Sequence, residues 1–194
     1  MKTPKDKLIK LLQDAHAGEK AAAYAYNGHA RSLTDAVEIN DLKKIEDEEW
    51  DHRKRLAIML TELGSGPRAS REFFMTLVGH TISSLCRLGG YLNGFNFGWF
   101  MSMYGAGKLE RGNIVEYEVA AQYAFEAGYP HFVPSLLDMS EIEWDHELYF
   151  RQKSFSSKWA RWIPIWSEPP ARELIQKNFL KFSGRDRLDE SSFA

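Results

Sequence analysis

Glu49-Trp50-Asp51-His52 and Glu143-Trp144-Asp145-His146 are one tetrapeptide written twice, once in each half of the chain. Each copy sets a glutamate and a histidine at i and i+3, positions that share a face if the segment is helical. Around the first copy, Val37, Ile39, Leu42, Ile45, Leu56, Met59 and Leu60 recur at helical spacing up to a Gly64-Ser65-Gly66-Pro67 stop. The second copy lies in a segment from about His131 to Lys158 that follows Gly128-Tyr129-Pro130. A Glu and a His on one helical face, duplicated, is the ligand set of a dinuclear iron or manganese site. Carboxylates can bridge two hard cations, and each cation takes a terminal imidazole.

Such a site also requires one glutamate from each of two further helices. Upstream, Leu8, Leu11, Leu12, Ala15, Ala22 and Tyr26 mark a helix from Lys5 to about Arg31. Ser32-Leu33-Thr34-Asp35 follows as a turn, with Thr34 or Asp35 as the next N-cap. Glu19 and Glu49 lie symmetrically about residue 34, inside this turn, so antiparallel neighbours bring them level. Glu116 and Glu143 are likewise symmetric about Tyr129 and Pro130, and Glu118 has a midpoint near the same turn. Glu116 is favoured because Tyr123 follows it by seven residues, as Tyr26 follows Glu19. The expectation is a duplicated helix pair: Glu19, Tyr26, Glu49 and His52, then Glu116, Tyr123, Glu143 and His146.

The remaining organisation is punctuated by glycine and proline. An apolar, aromatic third helix is expected from Arg71 to about Tyr104, with a kink or break at Gly89-Gly90. Gly105-Ala106-Gly107 reads as a breaker before a fourth helix, Leu109 to Ala127. Beyond Lys158 come a Trp-rich stretch, Pro169-Pro170, a short helix near Ala171 to Phe182, and a polar tail from Ser183 to Ala194 that is expected to be mobile. Two regions result: residues 1–160 as the metal-binding bundle, and 161–194 as an aromatic segment, short helix and tail. His16, His29, His80 and His131 lack a paired glutamate, and His29 and His131 read as turn or surface residues. Trp50 and Trp144 read as packing residues, and Asp51 and Asp145 as surface charges or acceptors for a ligand histidine.

Composition narrows the function. In 194 residues, 25 Lys and Arg stand against 27 Asp and Glu, which excludes the extended cationic surface of a nucleic-acid binder. One cysteine, Cys86, excludes an internal disulfide, a thiolate zinc site and a rubredoxin centre, and fits a reducing, cytoplasmic setting. The charged N-terminus lacks the apolar core of a secretory signal. The uncharged run Leu88 to Gly107 is long enough for a bilayer, but its glycines and asparagines suit helix packing or a surface-lying segment better. Aromatics make up 13% of a chain whose mean hydropathy is −0.43. They gather between Tyr91 and Tyr104 and again at Trp159, Trp162 and Trp166 beside Lys158 and Arg161, the composition of a membrane-interface anchor.

These motifs resemble the ferritin-like di-iron carboxylate superfamily, and within it the demethoxyubiquinone hydroxylase family of ubiquinone biosynthesis. The similarity is sharpest at His16-Ala17-Gly18-Glu19, then Ala22, Tyr26 and Gly28, with Val115-Glu116 and Tyr123 resembling the second half; it covers roughly residues 10 to 155. Ala121-Gln122 stands where that family has a His pair, the loop before the second Glu-x-x-His is shorter, and the Trp-rich tail is atypical. The resemblance implies an all-α, ferritin-like four-helix bundle with a long apolar crossover helix and a short C-terminal helix. It places the iron ligands at Glu19, Glu49, His52, Glu116, Glu143 and His146, with Glu49 and Glu143 bridging two iron ions, or manganese, and Tyr26 and Tyr123 donating hydrogen bonds to ligand carboxylates. It implies an O2-activating monooxygenase that hydroxylates a prenylated quinone precursor or similar lipophilic substrate. An electron donor, a small homo-oligomer and contact with the inner membrane surface through 88–107 and 159–166 complete that expectation. The rival is a ferritin- or rubrerythrin-like protein of iron handling or peroxide removal.

Overall fold

The computed structural model describes residues 2–91 and 97–183, and every regular element among them is helical. Thr3 opens α1 (Pro4–Ala30) with a reciprocal cap: its hydroxyl accepts from the Asp6 amide at 3.2 Å while its own amide donates to the Asp6 carboxylate at 3.0 Å. Asp35 rather than Thr34 caps α2 (Ala36–Glu62), accepting from the Glu38 amide at 2.9 Å. Gly64 and Gly128, at φ of +73° and +82°, take the left-handed conformation just past α2 and α4 that other residues adopt at a cost. The remaining helices are α3 (Ala69–Tyr91), α4 (Phe97–Glu126), α5 (Val133–Ser156) and α6 (Glu173–Ser183), with short 3-10 turns at Pro130–Phe132 and Lys158–Arg161.

Contacts fix the directions. Glu72 meets His16, Gly79 meets Ala21, and Ser83 meets Gly28, so α3 runs parallel to α1 along its length. Tyr26 meets Glu110, and Lys5 meets Tyr129, so α4 returns antiparallel to α1. Lys153 meets Glu38, and Arg55 meets Asp138, so α5 is antiparallel to α2. The pairs α1/α2 and α4/α5 thus form a bundle in which neighbours are antiparallel, and α3 carries the chain from one end to the other.

Two buried apolar clusters divide the interior. One gathers Leu8, Leu12, Leu56, Leu60, Ala120, Leu136 and Leu137, closed by Ile175 and Phe179 of α6; the other gathers Tyr26, Leu42, Ile45, Met103 and Phe150. The layer between them on α1, α2, α4 and α5 holds a buried group of glutamates and histidines.

The helix expected over residues 71–104 is two elements, α3 ending at Tyr91 just past Gly89-Gly90 and α4 opening at Phe97. One expectation needs correction: Gly105-Ala106-Gly107 does not break the chain, because α4 runs through it. Gly107 serves close approach instead: a Cβ there would stand 2.5 Å from the Trp166 ring and 2.9 Å from Phe150 Cβ. The expected mobile tail, apart from Ser183, lies outside the described residues, as do residues 92–96 of the aromatic stretch. No helix among the described residues is long and apolar enough to cross a membrane.

Candidate metal centre

Four helices each aim a glutamate into the layer between the apolar clusters: Glu19 from α1, Glu49 from α2, Glu110 from α4 and Glu143 from α5. His52 and His146 join them one helical turn beyond the second and fourth, and all six are 3% exposed or less. They form two overlapping groups, Glu19, Glu49, His52 and Glu143, and Glu49, Glu110, Glu143 and His146. Within each group the ligand atoms lie within 4.8 Å of one another. Glu49 and Glu143 belong to both.

Buried polar atoms ordinarily find partners. Here Glu19 Oε2, both Glu49 oxygens, Glu143 Oε1, both His52 nitrogens and His146 Nδ1 are buried without a hydrogen bond. His52 Nδ1 lies 3.0 Å from Glu143 Oε1, and His146 Nδ1 lies 3.3 Å from Glu49 Oε1. So many desolvated acceptors in one place repel one another unless protons or cations offset them. Burial and the neighbouring Glu49 push the Glu19 carboxyl well above its ordinary pKa, and burial and Glu143 do the same to Glu110. Burial would also raise Glu143, but His146 and His52, which face it, hold it low.

The surroundings orient these carboxylates. Tyr117 Oη donates to Glu19 and Tyr26 Oη donates to Glu110, a reciprocal pair between α1 and α4. Asn113 Nδ2 donates to Glu110 Oε2 at 2.8 Å, and His146 Nε2 lies 2.9 Å from Glu48 Oε2. Hard oxygens with one imidazole per group suit divalent first-row cations such as iron or manganese. The structure therefore presents a buried Glu/His site able to hold metal ions.

Of the residues expected from sequence, Glu19, Glu49, His52, Glu143 and His146 are brought together, and Glu116 is not. Glu116 is six residues from Glu110, so at 3.6 residues per turn it points about 120° away. It lines a cavity with Asp14 and Arg71, where burial and then Asp14 raise its pKa. Tyr123 packs against the cluster of Leu8 and Leu12 with Lys7 Nζ 5.2 Å above its ring. The residues missed are Glu110, Tyr117 and Glu48. Glu110 and Tyr117 repeat the seven-residue spacing of Glu19 and Tyr26, which was the available signal. Midpoint symmetry misled because it sets only the level along the bundle and not the helical face, and Glu116 lies on a face about 120° from that of Glu110.

Other expectations resolve individually. Asp51 pairs with Arg55 at 2.7 Å and Asp145 with Arg172 at 3.3 Å, so both are surface charges and neither backs a histidine. Trp50 packs edge-on to Tyr24, and Trp144 Nε1 donates to the Pro170 carbonyl at 2.8 Å. His29 is not a surface residue: it is 2% exposed, and burial lowers its pKa to about 4.

A cavity of about 580 Å³ opens between α1, α3 and α4. Ala22, Ala25, Met75, Val78, Ile82 and Met101 supply apolar walls, His29 and Cys86 line one end, and Glu19, Glu110 and Tyr117 line its inner side. No family model, curated protein or solved structure matches the chain.

Proposed function

We propose that the chain is a ferritin-like di-iron or dimanganese monooxygenase that uses O2 to hydroxylate a lipophilic aromatic compound, a prenylated quinone precursor being the chemistry the resemblance implies. The observation that carries this reading is the pair of buried ligand groups sharing Glu49 and Glu143, set against an apolar cavity. Glu19, Glu49, His52 and Glu143 would hold one cation, and Glu49, Glu110, Glu143 and His146 the other. Two such cations, reduced by an external donor, supply the O2 activation that no side chain provides.

The chain's own residues do the rest. Tyr117 and Tyr26 fix the rotamers of Glu19 and Glu110, so the terminal carboxylates are oriented before a cation arrives. Alanines 22 and 25 leave room on the α1 wall, and Met75, Val78 and Ile82 keep the cavity apolar, which excludes water and selects a greasy substrate. Leu85, Met101 and Leu109 line the cavity and are also 61%, 42% and 62% exposed, forming an apolar lip through which a substrate could pass from a membrane surface. The apolar cavity favours this reading over iron handling, for which the ligand groups alone would suffice.

Metal analysis tests the site: the purified protein should carry two irons per chain, and Glu49→Ala, which removes a shared ligand, should lose both. Two irons retained by that variant would overturn the assignment. Substrate-dependent O2 uptake with a prenylated phenol and a reductant, with the hydroxylated product seen by mass spectrometry, tests the reaction. Iron-loaded protein that oxidises iron but no prenylated phenol would favour iron handling.

A further inference from the structure

The tetrapeptide is duplicated, but what precedes it is not: Glu48 stands before the first copy and Ile142 before the second. Because α2 and α5 are antiparallel, the residue before each glutamate reaches toward the histidine of the other helix. Glu48 Oε2 lies 2.9 Å from His146 Nε2. At the equivalent position Ile142 lines the same surface groove as His52, and His52 Nε2 is buried with no hydrogen-bond partner among the described residues. Both histidines turn Nδ1 toward the shared carboxylates, at 3.0 Å for His52 and 3.3 Å for His146, so Nε2 is the outward nitrogen in each.

A carboxylate at Nε2 holds the proton there, leaves the Nδ1 lone pair facing inward, and makes the imidazole a stronger donor. His146 has this support. At the equivalent position His52 has the sec-butyl side chain of Ile142 in its groove instead, which neither selects a tautomer nor adds basicity. The asymmetry extends to the terminal glutamates: Glu110 is held by Tyr26 and by Asn113 at 2.8 Å, whereas among the described residues Glu19 is held by Tyr117 alone.

We propose that the two cation positions are inequivalent: the one formed by Glu110 and His146 fills first and holds its ion more tightly, and Glu48 is the positioning residue responsible. The inference rests on the two-metal reading above and adds an order of filling that the reading does not require. Partners of this kind change metal affinity about 10- to 100-fold. One ion should therefore bind well before the second.

Titration of the metal-free protein with Mn(II), following the free ion by electron paramagnetic resonance, reads this directly. The wild type should bind two ions in steps separated by about 10- to 100-fold in Kd. At one equivalent its bound signal should be that of isolated ions. Glu48→Gln should weaken the first step by that factor and give spin-coupled pairs already at one equivalent, while Glu48→Asp should restore part of the separation. Ile142→Glu, which supplies the missing carboxylate at a partly exposed position, should tighten the second step. Two ions bound at a single affinity by the wild type, or an unchanged titration in both Glu48→Gln and Ile142→Glu, would overturn this inference alone. Absence of any bound ion would overturn the two-metal reading and this inference with it.

Discussion

Glu110 and Glu116 sit on the same helix, close enough in sequence to be confused, and the helical angle between them decides which is a ligand. Glu110 is wholly buried among the other carboxylates, while Glu116 faces the cavity wall. Glu110→Gln should therefore reduce bound metal to about one ion per chain while Glu116→Gln leaves it unchanged, as read by metal analysis of the two variants. The distinction was only half legible in sequence. The repeat of Glu-x-x-His exposes four of the six residues that could hold metal, because both members of each motif are on one turn. The terminal glutamate of α4 depends on which face of that helix turns inward, and its signal is the weaker seven-residue spacing of Glu110 and Tyr117. His29 shows the same limit, since its burial comes from residues distant in sequence and leaves no mark in the local sequence. Its burial has a pH consequence. The unfolded imidazole takes up a proton near pH 6.5 and the folded one only near 4, with Glu38 offsetting part of the desolvation. Between those values the unfolded state binds more protons, so this contribution to stability is full above pH 6.5 and lost as pH falls to 4, by up to about 3 kcal/mol. Denaturant titrations of wild type and His29→Leu should diverge over that window, the variant losing less stability on acidification; parallel curves would contradict it.

At the scale of elements, the decisive contact is between α1 and α3, because it roofs the cavity. The helices approach closely through glycines: a Cβ on Gly28 would lie 2.5 Å from the Ser83 backbone, and one on Gly79 would lie 2.8 Å from Ala21 Cα. Neither backbone can retreat without separating the helices. Gly28→Ala should destabilise by about 1–3 kcal/mol as an overpacked contact. Gly112→Ala, also in a helix but with nothing within 4 Å, should be neutral or stabilising by up to about 1 kcal/mol. Thermal melts of the two variants check the pair, and equal shifts would refute the reading of Gly28. These glycines also explain which elements sequence revealed. The helices α1, α2, α5 and α6 are bounded by caps, prolines and left-handed glycines, signals that act locally. In α4 one glycine acts across space: Gly107 is small to seat Trp166, whose indole donates to the buried Glu147 at 2.6 Å. A breaker and a packing notch have the same spelling, and only the partner distinguishes them.

On the scale of the whole molecule, the aromatic excess divides between interior and surface. Trp166 is bound against α4 and Trp159 meets Phe97 edge-on at 4.8 Å, leaving Trp162 as the open member of the three, at 81% exposure. The larger apolar surface is elsewhere. Phe73, Leu77, Leu85 and Leu88 all project from the outer face of α3, and Phe97, Met101 and Leu109 continue the strip along α4. A strip of this size along α3 and α4, which border the cavity, is where a monooxygenase drawing its substrate from lipid would rest, and it would place the lip formed by Leu85, Met101 and Leu109 against the bilayer. Wild-type protein should then co-sediment with vesicles. The variant Phe73→Ser/Leu77→Ser/Leu88→Ser should lose most of that binding while keeping its melting temperature and its metal, because the replaced side chains are more than half exposed and none touches the ligand layer. If the strip instead joins two copies of the chain, the same variant would change the size-exclusion volume and leave vesicle binding as it was. Loss of vesicle binding with no change in size separates a lipid-facing surface from a dimer face.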